Sequence, residues 1–519
     1  MRWVRPVSAQ LAGEKDELGG KALGLALLHR LGLRVPPAFV VTADACRAFL
    51  REGRLPDGLR EELAEGVAGL EHATGRVFGG SRGPLAVSVR SGAGVSMPGM
   101  MDTVLGLGLT SAATAGLAAE TGDEGFARDS RNRFLTSYAK AASASAPVPD
   151  DAPTQLTRAV EAVFASWRSP RAHTYRTLHA VPHDLGTAVV VQAMVFGNRD
   201  PRSGTGVAFS RDPNTGENTP YGDVLFRAQG EDVVSGTRPT RPLRELADRE
   251  PALWAELLDA LRRVEARYRD ACYTEFTFQS GELWLLQVRP GRFTNAAAVR
   301  TAVELAEAGV IDRHEALRRV RGLAHVRTPR IAGPKEVVAR GVGASPGVAV
   351  GRIARTTEAA VRMARDFPVV LVRPETSPND LRGIAAAAGI VTERGGPASH
   401  AAVVARALGK PAVVGAQGFA MTEAESRTDA ESRTDAENLT ETEIEPQVST
   451  LARPLPEGTL VTLDGTTGEV VLGTPRVVTG AADDHVHRLL AWADDVSGNH
   501  TPRDDVQRLE DARRTLGAL

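Results

Sequence analysis

Twenty-four residues leave this chain little conformational choice. TERGGPASHAAVVARALGKPAVVG (392–415) opens on a strand end and a Gly395–Gly396 pair. That pair permits a tight turn and exposes backbone N–H groups. HAAVVARAL (400–408) then has the small apolar residues of a packed helix, and PAVVG (411–415) returns as a strand. His400 stands at the first turn of the helix, where free N–H groups and the helix dipole favour negative charge. A neutral imidazole is nucleophilic near pH 7, and a phosphoryl group carried on it would sit in that field. Taken alone, a histidine behind a glycine turn reads first as a core or capping residue.

The rest of the chain sets this segment among larger units. The 519 residues suggest three or four domains, and 42% apolar with 24% charged residues lets each bury a core. A net charge of −2 gives no field that favours nucleic acid or a membrane. No apolar run reaches the length of a membrane span, the first twenty residues lack the apolar core of a secretory signal, and two cysteines, Cys46 and Cys272, are too few for a disulfide framework. A cytoplasmic protein with reduced thiols is expected. Residues 1–335 read as one mixed α/β unit. LGGKALGLALLHRLGL (18–33) has helical spacing after a glycine pair, and PLAVSVR (84–90), TAVVVQAMVFG (187–197) and ELWLLQVRP (282–290) are strand-like. A Pro/Gly boundary at 328–341 closes it. A second α/β unit spans 336–475, with strands in FPVVLVRP (367–374) and GIVT (389–392) and a hairpin in TLVTLDGTTGEVVLG (459–473). Within it, 421–447 repeats ESRTDA and holds nine acidic residues and two arginines, so a solvated, disordered insertion is expected there. Residues 476–519 read as a linker followed by helix, loop and helix.

The 24-residue string resembles the phosphohistidine signature of phosphoenolpyruvate-utilising enzymes, and nearly all of 1–519 resembles the ATP-binding and phosphohistidine portion of the pyruvate, phosphate dikinase family. The resemblance implies an α/β multidomain architecture: an ATP-grasp-like nucleotide-binding module in two subdomains, followed by a swivelling phosphohistidine domain whose hinges are 328–341 and 473–486. It implies His400 as the catalytic phosphocarrier. It assigns Lys21, in GGKALG, and Arg90, at the end of VSVR, to the phosphates of ATP. Lys21 is one of only five lysines, yet by itself it reads as readily as a solvated lysine at a helix start. The loop MPGMMDT (97–103) would close over the phosphates, with Gly99 and Thr103 offering donors. Gln192 and Met194 would lie near the adenine, although Met194 also reads as plain core, and Glu231 would meet the ribose.

Glu275 and Gln287 are twelve apart on two strands joined by a QSGE turn, a pairing that puts both side-chain oxygens on one face, where they can hold Mg²⁺. Arg289 shares that face by alternation. The resemblance assigns Glu275 and Gln287 to metal and Arg289 to phosphate, with ATP and Mg²⁺ as the implied ligands and inorganic phosphate as co-substrate.

The sequence also departs from the family pattern. Tyr273 stands where the dikinases carry the first carboxylate of Asp-x-Glu, which predicts weaker metal binding. Gly94 replaces a usual arginine. Pro397 and Ala398 replace Met-Thr, which removes the threonine used for regulation in plant dikinases. The final residues look like the start of the family's C-terminal (β/α)₈ barrel, which receives the phosphate. With that barrel not in the sequence, the expectation is the first half of the reaction, ATP-dependent phosphorylation of His400. A separate pyruvate- or phosphoenolpyruvate-binding protein would supply the second. The alternatives are a phosphotransferase for another small acceptor and a degenerate nucleotide-binding paralogue.

Overall fold

A computed structural model describes residues 2–95, 97, 99–142, 147–235, 238–291, 293–320, 322–323, 329–418, 455–479 and 483–518. The acidic repeat at 421–447 lies outside the described residues. The chain divides into two compact units, one of 1–213, 217–233 and 241–291, the other of 214–216, 234–240 and 292–519.

TAVVVQA is a continuous apolar run, the pattern of a strand covered on both faces. It becomes Ala188–Ala193, the middle strand of a five-stranded antiparallel sheet in the order Val4–Val7, Ala38–Val41, Ala188–Ala193, Val87–Gly92, Thr103–Leu107. Alternation sends Val189 and Val191 into one core with Phe39, Val87 and Phe164, and Ala188 and Val190 into a second core on the other face. The second core also takes Leu25 and Leu28 of the helix Lys15–Arg30 and Phe276, Phe278 and Leu283 of a second antiparallel sheet. That sheet runs Arg241–Pro242, Tyr221–Phe226, Gly204–Phe209, Cys272–Gln279, Glu282–Pro290.

The second unit contains a closed seven-stranded barrel between Val337 and Leu472. Three of its pairings are parallel, joining Val348–Ala354 to Val369–Arg373, Gly389–Thr392 and Ala412–Gln417 in turn; the others are antiparallel. The helix His400–Leu408 bridges the last parallel pair, as its sequence predicts residue for residue. This mixed barrel is built from the histidine segment itself and differs from an eight-fold parallel β/α barrel.

The first unit ends at Gly291, short of the Pro/Gly boundary near 335 that the sequence suggests. The helices Asn295–Glu307 and Arg313–Arg319 bury Val299, Val303 and Leu317 against Leu489, Leu490 and Leu509 of the helices Asp484–Ser497 and Asp505–Thr515. Apolar faces far apart in sequence find each other, and the helices Asp484–Ser497 and Asp505–Thr515 complete this four-helix cluster. The expected hinge segments meet as a two-stranded antiparallel ribbon, Pro329–Ala332 with Arg476–Thr479. Among the described residues no helix is long and apolar enough to cross a membrane. Cys46 and Cys272 are free and buried.

Candidate functional site

In the first unit the glycines of GGKALG place Lys21. Gly19 has φ 76 and ψ 153 and kinks the helix Lys15–Arg30, a conformation essentially reserved for glycine. A Cβ there would stand 1.5 Å from the Gly92 carbonyl oxygen, and one at Gly24 would stand 2.7 Å from that of Val288. The helix therefore lies directly on the strands that carry Arg90 and Arg289. Burial, with Arg90 next in weight and Arg289 adding to it, lowers the Lys21 ammonium to about 7, while Glu275 opposes that shift.

The hairpin Cys272–Gln279/Glu282–Pro290 turns on Ser280 and Gly281, at φ 52 and φ 82, the left-handed pair of a type I′ turn. From that turn a regular ladder would pair Glu275 with Leu286 and put Gln287 on the opposite face. A bulge between Glu275 and Phe276 shifts the register by one, so Glu275 faces Gln287 and Tyr273 faces Arg289. Leu286, left over by the bulge, accepts a hydrogen bond from Arg90 Nη1 at 3.2 Å through its carbonyl.

Around Glu275 the side chains close tightly. Arg90 Nη2 donates to Glu275 Oε2 at 2.6 Å, with both side chains mostly buried, and Tyr273 Oη donates to Oε1 at 3.4 Å. The Arg289 guanidinium lies 4.2 Å over the Tyr273 ring, which packs edge-on against Phe209. Arg289 Nε is buried without a hydrogen-bond partner. Burial would raise the Glu275 carboxyl, but the surrounding cations, Arg90 foremost, hold it below the usual range. Burial pushes the Tyr273 hydroxyl up, beyond any physiological pH.

The loop before the strand Thr103–Leu107 is anchored from within: Met97, Met100 and Met101 are buried, and Arg171 binds the Met100 carbonyl and the Asp102 carboxylate. Gly99 is exposed at φ 71, and Thr103, also exposed, pairs with Arg90 across the sheet. The remaining expected residues stand outside the cluster. Gln192 is buried and donates to the Pro36 carbonyl at 3.3 Å. Met194 packs against the first core. Glu231 is held by Arg133 at 2.8 Å, and burial raises its carboxyl.

Of the two expected metal ligands, Gln287 stands opposite Glu275 across the bulged pair, but as an amide it brings no charge, and a resident divalent cation fits this set of donors poorly. Glu275 is the one carboxylate of the cluster, both its oxygens are engaged, and three cations surround it. No group of three or more His, Cys, Asp or Glu side chains positioned to hold a metal occurs among the described residues.

In the second unit His400 is buried, with Nδ1 3.1 Å from Thr376 Oγ1 and Nε2 without a partner. Ser399, the residue before the helix, has an equally buried and unpartnered hydroxyl. Burial lowers the ring to about 4, with Asp380 opposing. Arg406 ties the glycine turn down by donating to the carbonyls of Pro397 and Ala344 at 2.7 and 2.8 Å. Sequence reasoning missed Thr376 and Ser399. Thr376 lies 24 residues away on the neighbouring parallel strand's loop, so only the barrel brings it to the ring.

Residues 15–77 and 53–252 match the family described as pyruvate phosphate dikinase, AMP/ATP-binding domain, and residues 366–468 match that of the PEP-utilising enzyme, mobile domain. The chain is 38% identical to pyruvate, phosphate dikinase of Rhizobium meliloti over 98% of its own length and 61% of the relative's. It is 40% identical to pyruvate, phosphate dikinase 2 of Zea mays over 93% and 58%, and 36% identical to the Clostridium symbiosum enzyme over 95% and 60%. It thus spans about three fifths of the length of these curated relatives.

Proposed function

We propose, for a chain that carries both a dikinase AMP/ATP-binding domain and the mobile domain of phosphoenolpyruvate-utilising enzymes, that ATP phosphorylates His400. The observation that carries this reading is the state of the ring: buried, neutral through the physiological range, held at Nδ1 by Thr376 and open at Nε2. With the Nδ1 proton directed at Thr376 Oγ1, the Nε2 lone pair is the nucleophile. Nε2 attacks the β-phosphorus of ATP, the bond from that phosphorus to the α,β-bridging oxygen breaks, and AMP leaves. Inorganic phosphate then takes the outer phosphoryl group as pyrophosphate, which leaves a phosphohistidine.

Lys21, Arg90 and Arg289 hold the polyphosphate, since guanidinium forks and an ammonium match its charge and geometry. Gly99 and Thr103 close the loop over it. Gln192, Met194 and Glu231 bound the nucleoside end. The first unit acts as an ATP-grasp-like module of two sheets, and the histidine barrel swivels on the 329–332/476–479 ribbon to visit it. Lys21, Arg90 and Arg289, rather than a resident magnesium ion, balance the charge of the polyphosphate. The setting is cytoplasmic. The acceptor half, pyruvate to phosphoenolpyruvate, is taken up by a (β/α)₈ barrel outside residues 1–519, whether in a longer chain or in a partner.

ATP labelled at the β-phosphorus tests this, with wild type and His400→Ala compared in the presence and absence of phosphate. Acid-labile, alkali-stable label on wild type alone, with AMP released, is expected. Equal labelling of both proteins sinks the reading. A second reading, nucleotide binding without turnover, draws on Tyr273 in the place of a carboxylate. A rise in turnover for Tyr273→Asp separates a slow enzyme from a binding protein.

A further inference from the structure

We infer that the nucleotide site of this chain takes the polyphosphate of ATP as a free anion, without a protein-bound metal, and that Glu275 competes with that anion for Arg90. The inference rests on the nucleotide reading above and concerns what balances the phosphate charge.

Around Glu275 the structure gathers Lys21, Arg90 and Arg289 against a single carboxylate. A hard divalent cation needs oxygen ligands and is bound through one or two carboxylates together with substrate phosphates. Here the one carboxylate already has a cation, Arg90 at 2.6 Å, and accepts from Tyr273 Oη at 3.4 Å. Tyr273 adds an aromatic face where a second carboxylate would add a ligand, and it uses that face to carry Arg289. Lys21 and Arg289 have no carboxylate within ion-pair distance among the described residues, and Arg289, whose guanidinium rests on the Tyr273 ring, has a buried Nε without a hydrogen-bond partner. A buried donor without a partner carries a desolvation cost that an incoming phosphate oxygen relieves. Arg289 is thus held ready for an anion, Lys21 becomes fully charged as the anion arrives, and Arg90 is held off by Glu275.

This arrangement assigns Glu275 a role opposite in sign to that of a metal ligand. A metal-bridging carboxylate strengthens nucleotide binding, so its removal weakens it. A carboxylate that must be displaced from Arg90 weakens nucleotide binding, so its removal strengthens it. Tyr273 is a positioning residue in this account, acting through Arg289 and Glu275.

ATP-binding isotherms in EDTA and in excess Mg²⁺, for wild type, Glu275→Gln and Tyr273→Asp, decide the matter. The expected wild-type affinity in EDTA equals or exceeds that in Mg²⁺. Glu275→Gln is expected to tighten binding in EDTA about tenfold, the factor that 1.4 kcal/mol makes. Tyr273→Asp supplies a second carboxylate and is expected to make binding depend on Mg²⁺ by about tenfold or more. Wild-type binding that requires Mg²⁺, or weaker EDTA binding by a folded Glu275→Gln, overturns the inference and leaves the ATP site standing. Absence of ATP binding by wild type in both media overturns the nucleotide reading and the inference with it. The wild-type comparison decides even where a variant fails to fold.

Discussion

His400 lies at the buried end of a small-residue helix, and its surroundings set its proton affinity before any ligand arrives. Burial lowers the ring from 6.5 to about 4. The unfolded chain therefore binds a proton between those values that the folded chain does not, so stability is full above pH 6.5 and falls as pH drops toward 4. Between pH 7 and pH 5 the second unit should lose about 2 kcal/mol through this group alone. Urea unfolding of wild type and His400→Asn at both pH values measures it. The variant should lose that much less than wild type, and curves that shift in parallel would remove the assignment. The same low proton affinity keeps the ring nucleophilic in mild acid. Asp380 pulls the other way but is outweighed by desolvation. Thr376 fixes the ring at Nδ1, and the adjacent Ser399 carries a buried hydroxyl without a hydrogen-bond partner.

At the scale of the element, two irregularities build the nucleotide cluster. One is the kink at Gly19, which lets the helix Lys15–Arg30 descend onto the Gly92 carbonyl and carry Lys21 with it. Gly19→Ala combines a disallowed conformation with a backbone clash and should cost about 3 kcal/mol or more. Urea denaturation followed in the first unit tests this, and ATP affinity should fall in step because Lys21 is two residues away. A loss under about 1 kcal/mol would show that the helix can re-seat. The other irregularity is the bulge at Glu275/Phe276. Without it Gln287 would face away from Glu275, and Leu286 would be paired in the ladder instead of left over beside Arg90. Nothing in YTEFTFQSGELWLLQVRP marks a bulge by residue type. The pairing expected from the sequence reaches the observed face only because of it.

For the whole molecule, the two compact units carry separate cores, the nucleotide cluster in one and His400 in the other. Separate cores predict separate unfolding transitions. Saturation with ATP at about a hundred times its dissociation constant should raise the stability of the nucleotide unit by about 2.7 kcal/mol and leave the other transition in place. Scanning calorimetry with and without ATP reads both at once. A single transition that moves as one would show the units to be energetically coupled.

What the sequence determined by itself was local. The helix at 400–408, the strand at 282–290 and the hairpin of 460–472 follow from periodicity, turn residues and glycine placement, all of which act within a few residues. Lys21, Arg90, Glu275 and Arg289 were singled out by the family resemblance, and the Gly19 kink and the Glu275/Phe276 bulge are what set them around one cluster. The tertiary structure decided what depends on contacts between distant segments. It pairs Glu231 with Arg133, Gln192 with the Pro36 carbonyl and Glu275 with Arg90, and it sets Thr376 against His400. It joins 295–319 to 484–515 in one helical cluster, moving the unit boundary to Gly291. Side-chain charge and apolar faces are written in the sequence, but which partner each one meets is settled only when the burial of every other face is settled at the same time.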